Sequence, residues 1–276
     1  MAAATATDAA DRPAVEFDNV SIAFAERGGG RYEAVGATTL AIAHGEFVAI
    51  VGPTGCGKST LLNVAAGLLK PSTGTCRIFG SDLSGVNPRA GYLFQLDALM
   101  PWKTALDNVA VGLEIAGTPR RDALARAKAW LGRVGLAAFG DRYPHQLSGG
   151  QRKRVGLAQV LIRDPKLLLM DEPFGPLDAQ TRALMGELLL DLWSADRKAV
   201  LFVTHDLEEA IALADRVLIM AAGPGSRVIG DYRVPLPRPR DLHRVRVEPA
   251  FTDLYRRIWE QLKGEVLAAY SRADHA

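Results

Sequence analysis

The 276-residue sequence predicts an α/β fold with a mostly parallel core sheet, on three observations. Short apolar runs alternate with segments of helical period, the pattern of strands joined by crossover helices. Several of those runs stop abruptly in glycine or in charged residues, as buried strands do on reaching a sheet edge. Hydrophobic residues make up 48% of the chain and charged residues 23%, a globular composition with enough apolar mass for a large core.

The opening "MAAATATDAADRPA" is small and polar with early acids, and it lacks the basic start and apolar run of a signal peptide. Residues 1–13 are therefore read as a disordered leader, ahead of a main domain over 14–237. "VEFDNVSIAF" alternates and is β-branched, which predicts a strand. "GGGRYE" reads as a turn, and "GEFVAIVG" as a buried strand closed by glycine. In "KSTLLNVAAGLL", Leu61, Leu62, Ala65, Leu68 and Leu69 mark a helical face, with Gly67 and Pro71 placed to end it. "GTCRIFG" is a further strand.

Over about 95–165 the texture becomes helical: Val109, Gly112, Leu113 and Ala116 recur at helical spacing, as do Leu124, Ala127, Leu131 and Val134 before a glycine stop in "RVGL". This predicts a helical subdomain inserted between strands. "KLLLMDEP", "AVLFVTHD" and "RVLIM" then read as buried strands, with "LEEAIALAD" as a helix. "VPLPRPRD" is a proline-stiffened linker, and 238–276 ends in a helix whose stripe is Phe251, Leu254, Tyr255, Ile258, Trp259, Leu262 and Val266, expected to pack on the chain's own core, with a partner-binding helix as the alternative.

Lys+Arg exceed Asp+Glu by only 33 − 31 = 2, so no strong field draws the chain to nucleic acid or acidic lipid. Cys56 and Cys76 read as lone thiols of a reducing compartment. No apolar run approaches the ~20 residues that span a bilayer, so membrane work would go through a partner.

"GPTGCGKST", Gly52 to Thr60, fits G-x-x-x-x-G-K-[ST] between an expected strand and an expected helix. Its glycines let backbone N–H groups converge on phosphate, and the helix start adds positive potential. Lys58 is expected to reach the β- and γ-phosphates, and the Ser59 hydroxyl suits Mg²⁺, which prefers oxygen ligands. In "LLLMDEP", Asp171 stands at a strand's C-terminal edge and suits the metal, while Glu172 is the candidate to polarise a water against the γ-phosphate. His205 in "LFVTHD" also follows a buried strand, expected to neighbour that of Asp171, and reads as a γ-phosphate donor. Gln95 in "GYLFQLD" offers an amide oxygen to Mg²⁺ or orients water. A second glycine-rich stretch before a helix, "HQLSGGQRKR", is also written as a phosphate cradle.

Taken in order, "GPTGCGKST", "FQ", "LSGGQ", "LLLMDEP", "PLD" and "TH" resemble the nucleotide-binding subunit of an ABC transporter over about Val15–Met220, with "LSGGQ" the most family-specific element. The resemblance implies a P-loop NTPase fold with an N-terminal antiparallel β region, ATP with Mg²⁺ as ligands, and ATP hydrolysis. It places Gly52, Pro53, Thr54, Gly55, Cys56, Gly57, Lys58, Ser59 and Thr60 at the chain's own nucleotide. It assigns Ser148, Gly149, Gly150 and Gln151 to the γ-phosphate of ATP held by a second copy, so that a homodimer makes two sites. Phe24 matches the adenine-stacking position, with Tyr32 as rival, and Asp178 matches the loop that touches the twin. Two departures stand out: Pro176 replaces a small residue in that loop, and Gln159 takes a place where arginine is common.

The Pro101–Trp102 pair and the tail resemble importers of nitrate, sulfonate and taurine, which implies a membrane permease contact at Pro101 and Trp102, a solute-binding protein upstream, and residence on the cytoplasmic face of the membrane. An exporter or lipid-handling ATPase, and a soluble ABC ATPase, are the alternatives. The latter usually carries coiled coils or two cassettes, and the sequence has neither heptads nor an internal repeat. A P-loop kinase would not need "LSGGQ".

Overall fold

The computed structural model describes residues 12–26 and 28–273, so the expected leader lies, up to residue 11, outside the described residues. The chain divides into two compact units: residues up to Pro88 together with those from Asp196 form one, and Arg89–Ala195 the other.

The first unit opens with β1 (Val15–Ala25), β2 (Arg31–Ile42) and β3 (Phe47–Val51), then α1 (Lys58–Ala65), β4 (Thr73–Ile78) and β5 (Ser81–Asp82). An antiparallel sheet runs in the order β2-β1-β4-β5. In β1 the alternation buries Val15, Phe17, Val20 and Ile22. It skips a step at Asn19, whose φ of 51° and the register shift there mark a bulge. The helix α1 buries Leu61, Leu62 and Ala65 and stops where Gly67 turns to φ +69°. Leu68, placed on the buried face by its spacing, lies beyond that stop and is 53% exposed.

The second unit contains β6 (Ala90–Leu93), α2 (Ala105–Ile115), α3 (Arg120–Arg133), α4 (Gly149–Leu161), β7 (Leu167–Asp171) and α5 (Ala179–Ala195). β6 and β7 run parallel. Val109, Leu113, Ala127, Leu131, Val155 and Ala158 meet in one apolar cluster between α2, α3 and α4. Ala116, expected on that face, is the exposed C-cap of α2.

The chain then returns to the first unit with β8 (Ala199–Val203), α6 (Leu207–Leu213), β9 (Arg216–Met220), β10 (Val228–Arg233) and α7 (Pro249–Ala273). Within this unit β3 lies between β8 and β9, parallel to both, and β10 joins β9 antiparallel. Every residue of β3 and β8 is buried, which explains their unbroken apolar runs.

The segment Val234–Asp241, read from its prolines as a linker, is packed. Leu236 is buried, and Arg238 donates to Asp215 Oδ1 at 2.7 Å. The Arg240 side chain, 1% exposed, donates to the carbonyls of Ile211, Ala212 and Ala214 at 3.3, 3.1 and 2.7 Å. A cation thus satisfies the open C-terminal carbonyls of α6 and complements its dipole. Burial, with Arg238 alongside, pulls the Arg240 guanidinium down to about 10, so it stays charged at neutral pH. Of the expected stripe on α7, Phe251, Leu254, Ile258 and Leu262 are buried, whereas Trp259 is 42% exposed. Among the described residues no helix is long and apolar enough to cross a membrane.

Candidate functional site

In the first unit, chemistry gathers where β3 and β8 end together. Ile50 and Val203 are register partners, and two residues beyond each come Gly52 and His205. The stretch from Gly52 loops into α1, whose N-cap is Gly57 at φ +91°. A Cβ there would stand 2.5 Å from Val35 Cγ2, so both the dihedral and the space require glycine. Thr54 and Gly55 at the loop tip are exposed, as is Ser59, while Thr60 is half-buried.

Lys58 is buried, and its Nζ donates to the carbonyls of Gly52 and Pro53, each at 2.9 Å. Among the described residues no carboxylate pairs with it, so a buried cation is held by two carbonyls and the Cys56 sulfur. Burial raises the Cys56 thiol above its ordinary value, with the Lys58 charge 3.9 Å from Sγ working against it. Phe24 and Tyr32 face each other across β1 and β2 and are 43% and 38% exposed. The two rivals for a base are thus neighbours. Tyr32 also edges the loop, because its hydroxyl and the Gly55 carbonyl both border Gly223.

The second unit repeats the device. Leu93 and Met170 are register partners on β6 and β7, and two residues beyond each come Gln95 and Glu172. Gln95 Nε2 donates to Glu172 Oε2 at 3.1 Å. Asp171 Oδ2 accepts from the Tyr92 hydroxyl at 3.4 Å, and burial together with that carboxylate pushes the Tyr92 phenol up. Glu172 has φ 42°, a left-handed backbone that costs a non-glycine residue energy.

Lys153, which the sequence presented as one of a basic run, is buried. Its Nζ donates to the Gln95 carbonyl at 2.6 Å and pairs with Asp97 at 3.1 Å. The signal was present in its period: Lys153 falls four residues before Leu157 and eight before Leu161 on the buried stripe of α4.

Ser148 is the N-cap of α4. Its hydroxyl accepts from Gln151 N at 3.2 Å while Gln151 Oε1 accepts from Ser148 N at 2.9 Å, a reciprocal capping box. Gly149 and Gly150 open the helix, and a Cβ on Gly150 would meet Thr181 Cγ2 at 2.6 Å. Thr181 in turn donates through N and Oγ1 to Asp178 at 2.9 and 2.7 Å, holding that carboxyl below its usual range. The glycine stretch and Asp178 therefore sit side by side. The loop closes around Pro176 through its neighbours: Gly175 N donates to Glu172 O at 3.2 Å and Leu177 N to Phe174 O at 3.0 Å. Proline's missing N–H thus leaves those turn bonds intact.

Trp102 is 73% exposed and Pro101 is exposed beside it. Their loop is nonetheless pinned. Asn108, fully buried on α2, accepts from Met100 N at 2.7 Å and donates to the carbonyls of Met100, Lys103 and Thr104 at 3.1, 3.0 and 3.0 Å.

A family model described as "ABC transporter" matches residues 35–175. A Brucella abortus protein named as binding ATP is 44% identical over 90% of this chain and 93% of its own. The taurine import ATP-binding protein TauB of Rhizobium johnstonii is 42% identical over 87% of this chain and 93% of its own. Among solved structures, a dimeric ATP-binding cassette in a post-hydrolysis state, bound to ADP and Pi, superposes with a TM-score of 0.71 at 32% identity, covering 81% of this chain and all of that one.

Proposed function

The chain belongs to the ABC transporter family and is its ATP-hydrolysing subunit, and from that premise we propose that it powers import of a small oxyanion through a separate membrane permease. Nitrate, sulfonates and taurine are the solutes proposed. The observation that carries the nucleotide chemistry is Lys58, a buried cation without a carboxylate partner among the described residues. Such a charge is costly until an anion meets it, and a triphosphate is the anion this loop is built for.

In this reading Lys58 donates to the β- and γ-phosphates, and the N–H groups of the loop from Gly52 to Thr60 wrap their oxygens. Phe24 or Tyr32 covers the adenine. Ser59 on the first unit offers a hydroxyl oxygen, and Asp171 and Gln95 on the second offer a carboxylate and an amide oxygen, each a hard donor of the kind Mg²⁺ takes. That ion, when bound, neutralises charge developing on the phosphates. Glu172, with Gln95 donating to it at 3.1 Å, accepts a proton from the attacking water. His205 donates to the γ-phosphate. Ser148, Gly149, Gly150 and Gln151 meet the γ-phosphate held by a second copy, with Asp178 beside them at the twin's surface. ATP then joins two copies and hydrolysis parts them, a population shift driven by differential affinity.

The import part is supported by the 42% identity with a taurine import ATP-binding protein. The bare indole of Trp102 on a pinned loop suits a permease helix. A solute-binding protein would act upstream, and the protein would sit peripherally on the cytoplasmic face. The test is reconstitution of the chain with its permease and solute-binding protein in vesicles. Taurine, an alkanesulfonate or nitrate is expected to raise phosphate release several-fold. Equal rates with all three solutes and without solute would contradict the reading.

A further inference from the structure

We infer that Thr204 is a positioning residue for His205, with Glu209 as its anchor. The inference rests on the reading of His205 as a γ-phosphate donor. A donor to a phosphate oxygen must be held to a fraction of an ångström, because small misplacements cost large factors in rate. His205 stands two residues past the end of β8, so the backbone on either side of it sets where its side chain starts.

That backbone is tied into a ring. Thr204 is 2% exposed, and its N–H donates to the Ile50 carbonyl at 3.2 Å, one step past the registered pair of β3 and β8. Its hydroxyl donates to Glu209 Oε2 at 2.5 Å and accepts from Asp206 N at 3.0 Å. Asp206 Oδ1 in turn accepts from Glu209 N at 3.1 Å, as the N-cap of α6. The residues before and after His205 are thus joined through one hydroxyl that donates and accepts at once, and a buried carboxylate fixes it. Valine has the same shape and can do neither, whereas serine can do both.

The test uses the full chain with Mg-ATP and measures phosphate release against ATP concentration for Thr204→Val, Thr204→Ala and Thr204→Ser, each alone and combined with His205→Ala. Thr204→Val and Thr204→Ala are expected to lower kcat about tenfold with KM for ATP within about twofold. Thr204→Ser is expected to stay within about twofold of the parent. Combined with His205→Ala, the valine and alanine substitutions should slow turnover no further, because they act through that ring. Unchanged kcat in both variants would overturn the inference, and so would a repeated tenfold loss on top of His205→Ala. Loss of the thermal unfolding transition in both would show a purely structural role and overturn it equally. Wild-type turnover by His205→Ala itself is a separate result, which would sink the underlying reading of His205 and the inference with it.

Discussion

Glu172→Gln is expected to bind ATP as the parent does and to hydrolyse it about a thousandfold more slowly, within the range that a general base contributes. The amide keeps the shape of the side chain and an oxygen to accept from Gln95, so the hydrogen bond at 3.1 Å can persist. The left-handed backbone at φ 42° is a property of the turn and not of the carboxylate, so local geometry should survive as well. What disappears is the basicity needed to take a proton from water. Because Lys58 and its loop are untouched, the bound nucleotide should remain, and a nucleotide-joined dimer should accumulate. Phosphate release and sedimentation in Mg-ATP check the two halves of this expectation. Turnover near the parent's rate, or monomer alone under those conditions, would count against Glu172 as the base.

Lys58→Ala is expected to act on binding. Charge-assisted hydrogen bonds are each worth roughly 1.5–3 kcal/mol, so losing those to the β- and γ-phosphates should weaken ATP by about 3 kcal/mol, roughly 150-fold in Kd. The lysine is held by Gly52 and Pro53 carbonyls rather than by a counter-charge, so its removal leaves no buried anion stranded. The fold should therefore persist while affinity falls. Equilibrium titration with a fluorescent ATP analogue reads the effect directly, and an unchanged Kd would mean that this loop is not the nucleotide's cradle.

Much of the fold was legible because local patterns and long-range structure agree. The unbroken apolar runs of β3 and β8 are buried strands, and the glycine that ends β3 begins the loop to α1. The second glycine stretch carries more than a phosphate cradle. Ser148 and Gln151 are spaced as a capping box, and the structure engages both in one, which the phosphate-cradle reading alone did not anticipate. The charge of Lys153 suggests solvent. Its position on the buried stripe of α4 decides instead, with carbonyls and Asp97 to receive the ammonium.

Features set by tertiary contacts were out of reach. Nothing local predicts that Glu172 is left-handed or that Arg240 folds back to cap α6. The prolines of Val234–Asp241 suggested a linker because they fix the backbone. They do not reveal that Arg238, between two of them, and Arg240, just after the last, donate to the carbonyls at the end of α6. Leu68 was placed inside by its period and lies outside because α1 ends first.

In the proposed dimer each reaction chamber takes its phosphate loop from one copy and its Ser148–Gln151 stretch from the other. Mixing two inactive variants separates this arrangement from one in which both parts belong to a single chain. Lys58→Ala spoils the loop and Ser148→Arg spoils the stretch, so neither hydrolyses ATP as a homodimer. In an equimolar mixture about half of the dimers are mixed and each holds one whole chamber, so about a quarter of wild-type turnover is expected. A mixture no more active than its two components would contradict it, because it would mean that both parts must come from the same chain.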